Sequence, residues 1–188
     1  MRTPARSETA ALTRYVEVLQ RSLQVVTKAI WTADVARGRL GPHALRLSEN
    51  PVRLPRDGGD PIYLAASHRF EFERSGRFPS EWRVHNLQYI YSIGVGPKLD
   101  DAFVAWHWHP DVRTECHVHV FAEHPDMPGL PEMHLPSRRV SFEQIVRFAI
   151  TDLNVRHTEN WERVLDDSEA LFDEYKSWHG SSEPPLSR

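Results

Sequence analysis

The chain holds 188 residues, 40% of them hydrophobic, with six Trp and eight Phe, enough apolar mass to build a core and too much for a disordered chain. One cysteine excludes an internal disulfide and points to a reducing cytoplasm, and no apolar run reaches the roughly 18 residues of a membrane helix, so no membrane partner is expected. The net charge of −3 is unevenly spread: residues 1–56 carry ten basic against four acidic groups, residues 57–156 ten against fourteen, and residues 157–188 three against eight. That balance excludes a uniformly basic nucleic-acid binder and leaves solvated arginines or a local basic surface in the first third.

Met1 to Glu8 lacks the apolar stretch of a secretion signal. From there Leu12, Val16, Leu19, Leu23, Val26 and Ile30 recur at steps of four and three, which predicts a long helix over 7–31 capped by Ser7. Its apolar seam is expected to pack on the protein's own sheet, with a homodimer through the helix as the other outcome. Pro42, Pro51, Pro55 and the pair Gly58-Gly59 then predict an irregular surface connection up to Pro61.

Strand patterning runs from 62 to 122. Four segments, Tyr63–Arg74, Trp82–Val95, Phe103–His109 and Cys116–Ala122, are rich in aromatic and β-branched residues and separated by turns. In the first of them His68, Phe70 and Phe72 share one face and Arg69, Glu71 and Glu73 the other. Four prolines between Ala122 and Arg139 predict an extended loop. Ser141 and Gln144 form a capping box for a helix buried through Phe142, Ile145, Val146, Ala149 and Leu153. A last helix starts at Thr158 and turns Trp161, Val164, Leu165, Phe172, Tyr175 and Trp178 inward; residues 180–188 form a flexible tail. The expected fold is a single α+β domain over 1–179: a long N-terminal helix, an antiparallel four-stranded β-meander over 62–122, and two C-terminal helices within 141–179.

Eleven histidines stand in the chain, and four of them fall in Trp106-His-Trp-His109 and Cys116-His-Val-His-Val120. Alternate residues of a strand share a face, so His107 and His109 point one way and Trp106 and Trp108 the other. Pairing His109 with His117 and His107 with His119 makes one patch of four imidazoles, backed by an apolar face for the helices. Such a patch suits acid–base catalysis near neutral pH, as in phosphodiester cleavage through a ribose 2′-hydroxyl. It equally suits a zinc-like metal site, with His124, Glu132 or His134 as further ligands. Arg138 and Arg139 before the capped helix form a candidate anion site. Tyr89 and Tyr91, on the same face as His85, are candidates for stacking on a base. Cys116 faces away from His117, which argues against a thiol–imidazole nucleophile.

From Phe103 to about Leu165, a strand ending in WHWHP, then CHVHVF, then a proline-containing loop and MHLPSRRVSFEQIVRF entering a helix resemble the TumE-like toxins of bacterial toxin–antitoxin systems. The resemblance implies a small cytoplasmic toxin acting on RNA and neutralised by a helix-turn-helix antitoxin. Combined with the histidine patch, it yields a metal-independent ribonuclease as the first expectation: a hydrolase needing no cofactor, with His117 and His119 as acid and base. His107 and His109 support them, and Arg138, Arg139, Tyr89 and Tyr91 bind the substrate. The alternatives are a metal-dependent enzyme holding a divalent transition metal such as zinc through His107, His109, His117, His119 and His134, and a non-catalytic docking surface for a partner protein.

Overall fold

The fold is given by a computed structural model, which describes residues 5–35, 41–74, 81–110, 113–121 and 133–175. Helix α1 spans Glu8–Gln24, with the Ser7 hydroxyl accepting from the Ala10 N–H at 3.1 Å as expected of its cap. It stops seven residues, about two turns, short of the predicted end. Gln20 is the reason: its amide donates to the Ala29 carbonyl and accepts from the Trp31 N–H, both at 2.9 Å. The side chain thus pairs like a strand backbone and draws the chain back along the helix. Ile30, predicted to lie in the apolar seam, is 55% exposed.

Residues Trp31–Asp34 form strand β1, followed by β2 (His43–Leu47), β3 (Val52–Leu54), β4 (Ile62–Arg74), β5 (Trp82–Gly94), β6 (Ala102–His109), β7 (Arg113–Val120) and β8 (Met133–Pro136). The described strands make one antiparallel sheet of eight in the order β1-β2-β4-β5-β6-β7-β8, with β3 also paired to β4. The expected four-stranded meander is therefore only its middle. β2 and β3 lie inside the stretch predicted to be irregular, because Pro42, Pro51 and Pro55 flank these strands rather than interrupt them. β8 lies inside the predicted proline-rich loop. As an edge strand it tolerates Pro136, which has no N–H to give. Residues 122–132 of that loop lie outside the described residues, as do Trp178 and the predicted tail, while 137–139 are irregular as expected.

Helices α2 (Phe142–Thr151) and α3 (Trp161–Tyr175) complete the fold. α2 carries the predicted capping box, with the Ser141 hydroxyl accepting from the Gln144 N–H at 3.2 Å and the Gln144 side chain accepting from the Ser141 N–H at 3.2 Å. α1 and α2 cover one face of the sheet, and α3 packs on both. The covered face carries Leu45, Leu64, Phe70, Tyr89, Tyr91, Ile93 and Trp108, all buried. Trp106 meets Phe148 of α2 edge-on, with ring centroids 5.5 Å apart. Among the described residues no helix is long and apolar enough to cross a membrane.

A polar chain crosses this apolar layer. Tyr15 of α1 lies 2.6 Å from Nδ1 of His68, whose Nε2 lies 2.8 Å from the Tyr91 hydroxyl. His68 is 2% exposed, and burial holds its pKa at about 3 instead of 6.5. The unfolded chain therefore takes up a proton near pH 6.5 that the folded protein refuses until about pH 3. Stability contributed by neutral His68 is complete above pH 6.5 and is lost as pH falls through that window, at up to about 1.4 kcal/mol per pH unit. Urea unfolding at pH 7 and pH 5 should show His68→Gln losing less stability than the wild type over that interval, by about 2 kcal/mol. Equal losses would show that His68 titrates normally.

Candidate functional site

Among the described residues no helix covers the opposite face of the sheet, and the histidines stand there. β6 and β7 pair with His107 opposite His117, Ala105 opposite His119 and Trp106 opposite Val118. The expected register is shifted by two residues, because the ladder is irregular between His107 and His109, where His109 falls opposite Arg113. A shift of two preserves the faces, so the four imidazoles still share one side. β8 adds a fifth: His134 sits directly opposite His119.

The rings are close. His107 lies 4.1 Å from His119 between centroids, His117 lies 4.7 Å from His119, and His109 lies 5.1 Å from His117. His134 stands 4.2 Å from His119 and 5.6 Å from His117. One nitrogen from each of His107, His117 and His119 falls within 4.8 Å of the other two. Burial grades across the group: His117 and His119 are buried, His107 and His109 half-buried, and His134 exposed. Burial first, and then the imidazoles of His119, His117, His109 and His134, hold the His107 pKa down to about 4, so this ring is neutral at pH 7.

Two details orient the rings. Nδ1 of His117 lies 3.1 Å from the backbone carbonyl of Glu115, which can only accept, so Nδ1 carries a proton. Nδ1 of His109 is buried without a hydrogen-bond partner among the described residues. A buried donor or acceptor left unpaired costs about 1–3 kcal/mol. The surroundings are small and partly apolar: Ala105 on β6, with Ile90 and Ser92 on β5 opposite His107 and Ala105. Phe121 is 38% exposed and stacks on His119 at 5.9 Å.

The residues expected to bind substrate lie elsewhere. Tyr89 and Tyr91 are each 1% exposed, on the helix-covered face, stacked on each other at 4.8 Å. No base can reach them there. The Tyr89 hydroxyl accepts the Val140 N–H at 2.9 Å. His85 does not share their face. The β4–β5 register shifts between Arg69 and Phe70, leaving Leu87 unpaired, and His85 turns outward to Glu73 at 3.2 Å. Arg139 lies 3.8 Å over the ring of Trp108, again on the helix side. Arg138 is exposed beside it. The α2 N-terminus they flank already has carboxylates near it: Glu143 in its first turn, and Glu169, 2.8 Å from the Gln144 amide. The sheet thus separates Arg139 from the histidines. Of the further ligands considered, His134 joins the cluster, while His124 and Glu132 lie outside the described residues.

No protein-family model, curated protein or solved structure matches the chain. The likeness to TumE-like toxins rests on the order of motifs in residues 103–165 alone.

Cys116 faces away from His117, as its parity requires. It is buried, and burial pushes its thiol above the ordinary range in spite of the Tyr89 hydroxyl and Arg139 nearby. A thiol-specific disulfide reagent at pH 7 should label the native protein at least about a hundredfold more slowly than the urea-unfolded chain. Comparable rates would mean that the thiol is accessible and activated.

Proposed function

We propose that the protein is a metal-dependent enzyme whose centre is formed by His107, His117 and His119, holding a divalent transition metal of the zinc class. The carrying observation is the mutual proximity of three ligand nitrogens on two paired strands, within 4.8 Å. A tetrahedral ion bound at 2.0–2.1 Å needs nitrogens about 3.4 Å apart, a change within reach of small side-chain rotations. The Glu115 carbonyl supports the same reading, because ligating histidines characteristically give their other N–H to such an acceptor. Three protein ligands leave a coordination position open, the arrangement of catalytic rather than structural zinc sites.

A metal held there supplies Lewis acidity and a water activated near neutral pH. The chain supplies the rest. His107, neutral at pH 7, offers a lone pair without first losing a proton. His134 is exposed and adjacent to His119, placed as a fourth ligand or as a group exchanging protons with substrate. His109, with its unpartnered Nδ1, is placed to orient a bound molecule beside His117. The reaction class that suits this set is hydrolysis, and RNA is the substrate that the toxin resemblance suggests.

Chelator-treated protein titrated with zinc by calorimetry should bind one equivalent with micromolar or tighter affinity. His119→Gln and His107→Gln, checked for native circular dichroism, should each weaken it by at least about tenfold. Absence of stoichiometric binding overturns the proposal. Cleavage of single-stranded RNA that is undiminished in excess chelator would do so too, and would establish the metal-free ribonuclease in which His117 and His119 act as acid and base with His107 and His109 in support.

A further inference from the structure

A second constellation lies away from the histidine strands. Arg53 of β3, Arg56 and Arg156 line a cavity of about 250 Å³ together with Pro55, Gly59 and Pro61. Two of these arginines belong to the basic first third of the sequence. The third comes from the connection between α2 and α3, a hundred residues on. Backbone pairing brings the two segments together. The Asp57 N–H donates to the Asn154 carbonyl and the Arg156 N–H to the Pro55 carbonyl, both at 2.9 Å, and Arg56 bridges to Val155.

The site is built rather than incidental. Arg56 donates through Nε to the Leu153 carbonyl at 2.7 Å, and Arg156 through Nε to the Asp57 carboxylate at 2.7 Å. Both anchors use Nε and leave the Nη donors for a ligand. Asn154, at φ 54°, is the one non-glycine residue with positive φ among the described residues, and Gly58 and Gly59 follow at 82° and 92°. Gly59 lines the cavity and Asn154 stands two residues before Arg156, where such backbone costs about 1 kcal/mol or more for a residue that is not glycine. Three arginines line the cavity, and Asp57 offsets the charge of Arg156 at its exposed rim. Mutual repulsion of the rest is relieved when an anion enters.

We propose that this cavity binds a phosphate dianion, either free or as the terminal group of a phosphomonoester. Guanidinium forks match the paired oxygens of phosphate, and several converging forks favour its oxygens over a flat carboxylate. The volume lies below the roughly 300–1,000 Å³ of pockets for larger ligands and suits one compact group.

The test uses the full chain, freed of metal by chelation, at constant ionic strength. Calorimetry with inorganic phosphate should show saturable binding, with millimolar or tighter affinity, that chloride and acetate do not reproduce. Arg53→Gln and Arg156→Gln should each weaken it at least about fivefold, and the double variant should abolish it. Arg56 is left intact because it holds the Leu153 carbonyl. Adenosine 5′-monophosphate binding at least about tenfold tighter than phosphate marks a phosphomonoester; equal affinity marks free phosphate. His119→Gln should leave phosphate binding unchanged, which keeps this result independent of the metal proposal. Binding that persists in the double variant, is matched by acetate, or disappears with His119→Gln overturns the inference.

Discussion

Period-two alternation across one pair of strands organises both sides of this molecule. Trp106, Trp108, Cys116, Val118 and Val120 face the helices, so His107, His109, His117 and His119 must face away. Sliding β7 by a single residue would bring imidazoles under α2 and turn Val118 and Val120 to the bare face. Each large apolar side chain lost from the interior costs about 1.5–3 kcal/mol, and each unpaired buried imidazole adds a comparable penalty. Core packing therefore assembles the histidine cluster as a by-product. The same argument explains why a register error of two residues does no harm: it leaves every side chain on its own face.

The sheet also divides two kinds of histidine. On the covered side His68 is enclosed and held by two tyrosine hydroxyls. Its task is structural, and it stays neutral because charge is expensive in that layer. On the other side the imidazoles are packed ring against ring, with one fixed by a backbone carbonyl and Nδ1 of His109 without a partner among the described residues. A ring such as His107, kept neutral by burial and by the imidazoles around it, is suited to a cation other than the proton. The Arg139–Trp108 stack and the buried Cys116 belong to the supporting side: they hold β6 and β7 in place from beneath.

The elements legible beforehand are those with strong local signals. The Ser141–Gln144 box marked the start of α2 to the residue, and the alternating runs marked β4 to β7 within a few residues. The missed strands are short. Three to five residues between prolines, as in β2 and β3, carry too little periodicity to stand out, and only pairing with the long β4 makes them strands. β1 was hidden by Ile30, which continued the helical spacing while Gln20 redirected the chain. His85 was misplaced by a bulge, because an inserted residue reverses parity without leaving a mark in composition.

Sequence alone determined which residues are capable of chemistry here and which face of β6 and β7 they occupy, since side-chain alternation follows from backbone geometry. Tertiary structure alone decided which of them meet. It carried His134 in from a strand with no local signature, and sent Tyr89, Tyr91 and Arg139 to the far side of the sheet. It also joined Arg156 to Arg53 and Arg56 across a hundred residues. The physical reason is one of range: alternation and capping act over a few residues, whereas these meetings depend on strand pairing and packing between distant segments.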